Sequence, residues 1–482
     1  MKYLIICLAV TAGFFSLNLG AQASSTKDTD IITELTNPNS VYYPGYADAT
    51  NFRIPALYQT SQGTTIAGVD RRVNSGADSP NNIDSILRRS FTNGQTWESD
   101  SIFINNYPGN ASNIDLSFVE EESSQKLFAL VDGFPHDTGL MGGIGNNIDR
   151  GTGFSTIANQ PYFTLYDNED QSYTVRDDGI VYDKNNQPTP YTVKDHRILY
   201  KNDKKVDHVF SSTSPLQAKQ ISYLELYTSQ DEGKTWSSVQ DLNAQVKEEW
   251  MLFLGTGPGN GIQIQQGPHE GRLVYPVYFF NQNNRQASAV IYSDDGGDTW
   301  HRGESPNEGR ITPDGKQLDE RTFSNREYEL TESQVVEMPN GQLKMFSRNR
   351  SGYAQIATSY DGGVSWDNHI QTDTDLPAPY SQMSVINYSQ PVQGKPAIIY
   401  SGASDHTQRV NGKVKVGLIE DRGFDNNGKK DYDINWVDEQ LVKEGHYGYS
   451  SLTELTDGTV GLLYEADANE NIDFVRFSIE TE

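Results

Sequence analysis

The chain has 482 residues, with 42 Gly, 27 Tyr, a single Cys and a formal charge of −27. That length is ample for a large core, and a turn-rich composition without long apolar helical stretches reads as all-β. The acidic balance excludes a nucleic-acid partner, because phosphate binding needs a basic stripe and none is visible; an anionic substrate would need local arginines to hold it against the overall field.

Residues 1–23 combine Lys2, an apolar run to about Phe15 and the small-x-small end Ala21-Gln22-Ala23. This is the pattern of a secretory signal peptide cleaved before Ser24, so a secreted protein, extracellular or periplasmic, is expected. The apolar run is too short for a membrane span. Cys7 lies within it, so the mature chain would carry neither disulfide nor thiolate, and with no Cys/His cluster in the sequence neither a metal nor a cofactor is expected. Residues 24–33 are polar and read as a flexible N-terminus.

From residue 34 the chain is organised by a repeat. Ser229–Trp236, Ser293–Trp300 and Ser359–Trp366 share the pattern S-x-D-x-G-x-[TS]-W, and Ser90–Trp97 shares it with Asn93 at a polar turn position. Asp and Gly supply a tight turn, Gly because it accepts positive φ, and Trp is a packing anchor. The boxes at 229, 293 and 359 are 64 and 66 residues apart, the length of a four-stranded sheet with its loops. The expected architecture is therefore a β-propeller. The first two boxes are 139 residues apart, so that period carries extra chain, and the polar, Tyr-rich stretch 139–215 reads as a small β insertion domain in the second blade. Six blades over 34–482, at about 62 residues each once the insertion is set aside, are expected. The region from Asp425 to Gly428, with Trp436 beyond it, is a degenerate fifth box.

Three hairpins turn at Gln62-Gly63, Asn340-Gly341 and Asp457-Gly458. Arg53, Glu332 and Tyr449 lie nine or ten residues ahead of the respective glycines, so they occupy one structural level and would face a shared axis. Hairpin register places Glu332 opposite Arg348 and Tyr449 opposite Glu465. A Glu beside a Tyr can take the phenolic proton and make a weak nucleophile competent. Taken singly, each pair is more often a surface salt bridge or a satisfied Tyr.

Phe52-Arg53-Ile54-Pro55 matches the F/Y-R-I-P motif of the sialidases (neuraminidases), and with the repeated boxes the chain resembles bacterial members that carry an inserted β domain. Some of these are intramolecular trans-sialidases. Gly76–Asn82, Phe253–Gly259, Thr331-Glu332-Ser333 and Leu463-Tyr464-Glu465 also look like family landmarks. The resemblance implies that Arg53, Arg348 and Arg409 grip the substrate carboxylate, that Asp78 is the acid/base, that Tyr449 is the nucleophile with Glu332 as its base, and that Glu465 orients Arg53. It implies an exo-acting retaining sialidase that cleaves terminal sialic acid from glycans, glycoproteins or glycolipids through a tyrosyl intermediate. The alternatives are an intramolecular trans-sialidase releasing the 2,7-anhydro sugar and a non-catalytic sialic-acid-binding propeller. Three arginines suit a carboxylate on the anomeric carbon, since planar guanidinium forks bind it with charge-assisted hydrogen bonds. A neutral Tyr avoids the repulsion that a carboxylate nucleophile would meet there. Asp70 and Asp84 compete with Asp78 on residue type alone. Trp250, outside every box, is a candidate wall of the site or a core residue.

Overall fold

Strand formation dominates because short apolar runs alternate with Gly, Asn and Asp turns. The computed structural model describes residues 30–140, 148–425 and 428–482. The expected signal peptide and Cys7 lie outside the described residues, as do Asn426 and Asn427 of the degenerate box. Among the described residues no helix is long and apolar enough to cross a membrane.

The recurring unit is four sequential antiparallel strands. It is plainest in Leu330–Glu337, Leu343–Asn349, Tyr353–Ser359 and Gln371–Pro377, which pair each with the next. The same order recurs in the sheets that begin at Asn51–Gln59, Ser112–Glu121, Leu254–Thr256 and Ser384–Val392. The first two of these are joined by a parallel bridge between Ile83 and Ser112. The last sheet pairs Ser450–Glu454, Val460–Glu465 and Ile472–Ile479, and its outer edge is filled from the other end of the chain, with Ile32 paired to Ile479. Residues 31–33 are consequently ordered, contrary to the expected flexible stretch. Ile31 and Ile32 are buried, and both backbone N–H groups donate to Asp438 Oδ2 at 2.8 Å.

The boxes lock the turns between third and fourth strands. In each, the Ser Oγ accepts from the Gly N–H at 2.9 Å. In three of them the Asp carboxylate also accepts the backbone N–H of the following Thr or Ser. In the first box Thr92 Oγ1 does the work of that Asp, accepting Thr96 N–H at 2.9 Å, while Asn93 sits at φ 50 and accepts from Thr456. Trp300 is 1% exposed, edge-on to Phe128 at 6.1 Å, and a Cβ at Gly297 would overlap the same Phe128 ring. Each box thus staples one sheet to its neighbour.

An eight-stranded sheet from Phe154 to Ala218 is inserted between Lys126–Phe134 and Tyr223–Ser229, which pair directly with one another. The expected strands at 173–175 and 180–182 belong to it. Its final strand, Gln217–Ala218, runs three residues past the anticipated end at 215. Arg197 anchors it. The guanidinium, 5% exposed, pairs with Glu225 at 2.8 Å and Asp241 at 2.6 Å, and lies against Phe163, Phe210 and Tyr223 at 4.7 to 4.9 Å. Arg197→Ala is expected to cost about 3–5 kcal/mol, because it strands two buried carboxylates. Urea unfolding would measure it, and a loss below about 1 kcal/mol would remove Arg197 as the anchor.

Candidate active site

Antiparallel pairing brings the start of each first strand and the end of each second strand to one edge. Arg53, Glu332 and Tyr449 occupy or adjoin first-strand starts, and Arg72, Arg348 and Glu465 lie at or next to second-strand ends. Asp78 is in the loop after a second strand, and Arg409 precedes Val410–Phe424. Arg53, Asp78, Glu332, Arg348, Arg409 and Tyr449 line one cavity of about 430 Å³. No box residue reaches it.

Tyr449 is at the centre, 5% exposed. Its hydroxyl donates to Glu332, whose oxygens lie at 2.6 and 2.7 Å, and accepts from Arg348 Nη1 at 2.6 Å. The same Arg348 nitrogen bonds Glu332. The guanidinium carbons of Arg53, Arg409 and Arg348 lie 5.1, 5.2 and 6.0 Å from the phenol ring centre. Burial pushes the Tyr449 hydroxyl up, and Glu332 adds to this. The three arginines oppose the rise without cancelling it. The resting side chain is therefore a phenol, with the base that would take its proton already in contact.

Glu465 meets Tyr449 in the expected register, but at the backbone. Its Oε2 accepts Tyr449 N–H at 3.0 Å, and its Oε1 accepts Ile54 N–H and Arg53 Nε–H, both at 3.0 Å. The phenol instead turns across to Glu332 on another sheet, so hairpin pairing alone pointed to the wrong carboxylate for that proton. Arg53 lies beside both Glu465 and Tyr449, which makes the two readings compatible. Ile54 holds φ 58, unusual for a β-branched residue, at a register shift between Arg53 and Ala56. That bend directs Arg53 while Glu465 takes up the freed N–H. Glu332 and Arg348 meet as expected, across a similar shift between Leu330 and Ser333.

Asp78 is separated from its competitors by access. Its side chain is 38% exposed, whereas those of Asp70 and Asp84 are 0% and 1% exposed, paired to Arg72 and Arg71. Burial raises the Asp78 carboxyl, but Arg72, Arg53 and Arg348, together with a hydrogen bond from Arg72, outweigh it and hold it below the usual range. The Arg72 contact is 2.7 Å and the Arg53 contact 3.6 Å. The loop itself is braced by Asn81, whose amide donates to Ser75 O and Ala77 O at 2.9 Å.

Arg348 stacks on Tyr380 at 3.9 Å, and the Tyr380 carbonyl accepts from Arg409 at 3.1 Å. Arg409 has no carboxylate partner among the described residues, so its charge is open to a ligand. Asp115 and Asp132 form part of the floor. Burial pushes both carboxyls well up, helped by the neighbouring charges of Asp70 and Glu332 at Asp115 and of Asp115 at Asp132. An adjoining wall is aromatic: Phe253 stacks on Phe134 at 6.2 Å, lies tilted against Tyr278 at 4.9 Å and meets Phe280 edge-on at 5.9 Å. The Gly-rich landmark after Phe253 has a packing cause, since a Cβ at Gly255 would fall 2.1 Å from Asp132 Oδ2.

Sequence reasoning missed Arg72, Tyr380, the carboxyl floor and the aromatic wall. Only the Phe253 landmark carried a signal for any of them. Trp250 is no part of the wall; it packs edge-on against Phe279 at 5.6 Å and donates to Glu248.

Residues 188–462 match the BNR repeat-like domain. The anhydrosialidase of Macrobdella decora is 33% identical over 485 residues, covering 89% of this chain and 60% of the relative. The chain thus spans less than two thirds of that relative's length. The intramolecular trans-sialidase of Ruminococcus gnavus, solved with oseltamivir carboxylate, is 31% identical with a TM-score of 0.78, covering 91% of this chain and 97% of that one. A leech intramolecular trans-sialidase complexed with 2,7-anhydro-Neu5Ac is 29% identical with a TM-score of 0.79, covering 92% and 70%.

Proposed function

This chain belongs to the BNR-repeat sialidase family, and on that premise we propose that it cleaves terminal α-linked sialic acid from glycans with retention, through a covalent bond to Tyr449. The observation that carries the reading is the Tyr449 hydroxyl, held against Glu332 within a ring of three guanidiniums.

Arg53, Arg348 and Arg409 bind the substrate carboxylate and set the anomeric carbon over the phenol. Glu332 takes the phenolic proton as the oxygen attacks C2, and Asp78 gives its proton to the departing glycosidic oxygen. The tyrosyl glycoside is then opened at C2 by a hydroxyl that loses its proton to Asp78, while Glu332 returns the proton to the departing Tyr449 oxygen. A purely binding role would need the carboxylate grip alone, and does not account for Asp78 and the Glu332–Tyr449 pair in the same cavity.

Six blades around one axis are the inferred frame. Cross-bonds between first strands support it: Leu57 N–H donates to Ser451 Oγ at 2.9 Å, Leu452 N–H to Ser384 Oγ at 3.0 Å, and Asn260 Nδ2 to both Leu57 O and Leu452 O. The sheet from Phe154 to Ala218 is the inserted domain of the second blade.

For the fate of the intermediate, attack by the sugar's own glycerol hydroxyl at O7, giving the 2,7-anhydro product, is favoured over water. The support is the similarity to the anhydrosialidase and to the trans-sialidases. Proton NMR of the product from α2,3-sialyllactose is expected to show the bicyclic anhydro sugar. Free sialic acid as the first-formed product would return the reading to hydrolysis, and no turnover would favour a binding protein.

A further inference from the structure

Beside Tyr380 lies a second group of arginines that the proposed cleavage reaction does not use. Arg350 stacks on that ring at 4.3 Å. Its Nε bonds Glu329 at 2.9 Å, and Arg285 and Arg326 reach the same carboxylate at 3.5 and 3.9 Å. Glu329 is 2% exposed and is the one carboxylate in ion-pair range of the three among the described residues. Glu327, exposed on the same turn, pairs with none of them.

One buried carboxylate therefore holds three cations at the mouth of the cavity, where Arg350 and Arg326 are both lining residues. Neutralising Glu329 required one arginine. The surplus is notable in a chain of net charge −27, since unpaired positive charge at a cleft focuses the local field on an incoming anion. Arg326, with a side chain 60% exposed and only a distant contact to Glu329, retains most of its guanidinium donors for a ligand. Tyr380, contacted by Arg348 at 3.9 Å and by Arg350 at 4.3 Å, places this second cationic surface next to the one that grips the first carboxylate.

We propose that the Arg326–Arg350–Arg285 rim is a subsite for a second anionic group on the glycan, a carboxylate or sulfate ester carried beyond the sugar that is cleaved. The inference rests on the sialoside reading of the adjoining cavity and gives that site a preference for doubly anionic glycans. A second sialic acid and a sulfated sugar offer the same oxyanion chemistry to guanidinium donors.

The test is equilibrium binding to the wild-type full chain of three sulfur-linked, non-cleavable probes: α2,3-sialyllactose, its galactose-sulfated form and an α2,8-disialyl lactose. At least one doubly anionic probe is expected to bind roughly fivefold to tenfold more tightly than the neutral-aglycone probe, less so at high salt. Arg326→Gln, alone or with Arg285→Gln, is expected to abolish that preference and leave α2,3-sialyllactose affinity unchanged. The sulfated and disialyl arms identify which source the rim favours. Equal affinity for all three probes, or a preference that survives the double variant, overturns the proposal. Failure of α2,3-sialyllactose to bind at all is a different result: it overturns the sialoside reading, and the rim then stands only if an anionic probe binds and loses affinity in Arg326→Gln.

Discussion

Replacing Tyr449 with Phe lowers kcat on a fluorogenic sialoside by on the order of 10³-fold and leaves KM within about a factor of three. The substitution keeps the ring, so the guanidiniums of Arg53, Arg348 and Arg409 retain their packing surface, and the Glu332–Arg348 pair survives. Only the oxygen that would bond the anomeric carbon is lost. Because that bond forms on the way to the transition state, the loss belongs to kcat; the carboxylate grip that sets binding is untouched. Glu332→Gln tests the same step from the other side. Burial and Glu332 together keep the Tyr449 hydroxyl protonated, so an amide that cannot accept the proton leaves the phenol inert. Steady-state kinetics with a thermal unfolding control measures both, and full activity in Tyr449→Phe would remove it as the nucleophile.

Asp78→Ala is the second large effect, and its size depends on the leaving group. For α2,3-sialyllactose the loss in kcat/KM is about 10²–10⁴-fold, the range for removing a general acid. An aryl sialoside, whose phenolate leaves without protonation, loses far less. Comparing the two substrates separates an acid from a residue that merely shapes the cavity, which would affect both alike. The pH dependence has a definite sign. In the free site the arginine fields hold Asp78 below the usual carboxylate range, so the acid form is lost as pH rises and kcat/KM for the natural substrate falls across the acid range. A bound substrate carboxylate neutralises part of Arg53 and Arg348 and excludes water, both of which raise the Asp78 pKa. The falling limb of kcat is therefore expected at higher pH than that of kcat/KM. Coincident limbs, or a limb unchanged in Asp78→Ala, would count against the assignment.

Much of this molecule is legible in local sequence because its repeats are local. A box spans eight residues, and its turn is closed by two i, i+4 bonds, Gly N–H to the Ser Oγ and Thr or Ser N–H to the Asp carboxylate, so its presence and spacing follow from composition in a short window. The hairpins at Gly341 and Gly458 likewise set their own register, and the Glu332–Arg348 and Tyr449–Glu465 pairings follow from it. The first box shows the limit of such reading: its polar turn work is done by Thr92, while Asn93 points to Thr456 on another sheet. The motif resemblance supplied Asp78 and Arg409, which sit in loops that no periodicity marks.

The sequence by itself determined the all-β class, the repeat length and six of the residues that meet in the cavity: Arg53, Asp78, Glu332, Arg348, Arg409 and Tyr449. Tertiary structure alone decided the partners that neither pattern nor resemblance named: Arg348 on the Tyr449 hydroxyl, Glu465 on two backbone N–H groups, Arg72 on Asp78, and the cationic rim on Glu329. The physical reason is range. Hydrogen bonds within a turn or hairpin are written in neighbouring residues, whereas the field at a carboxyl and the partner of a phenol depend on side chains brought from separate sheets.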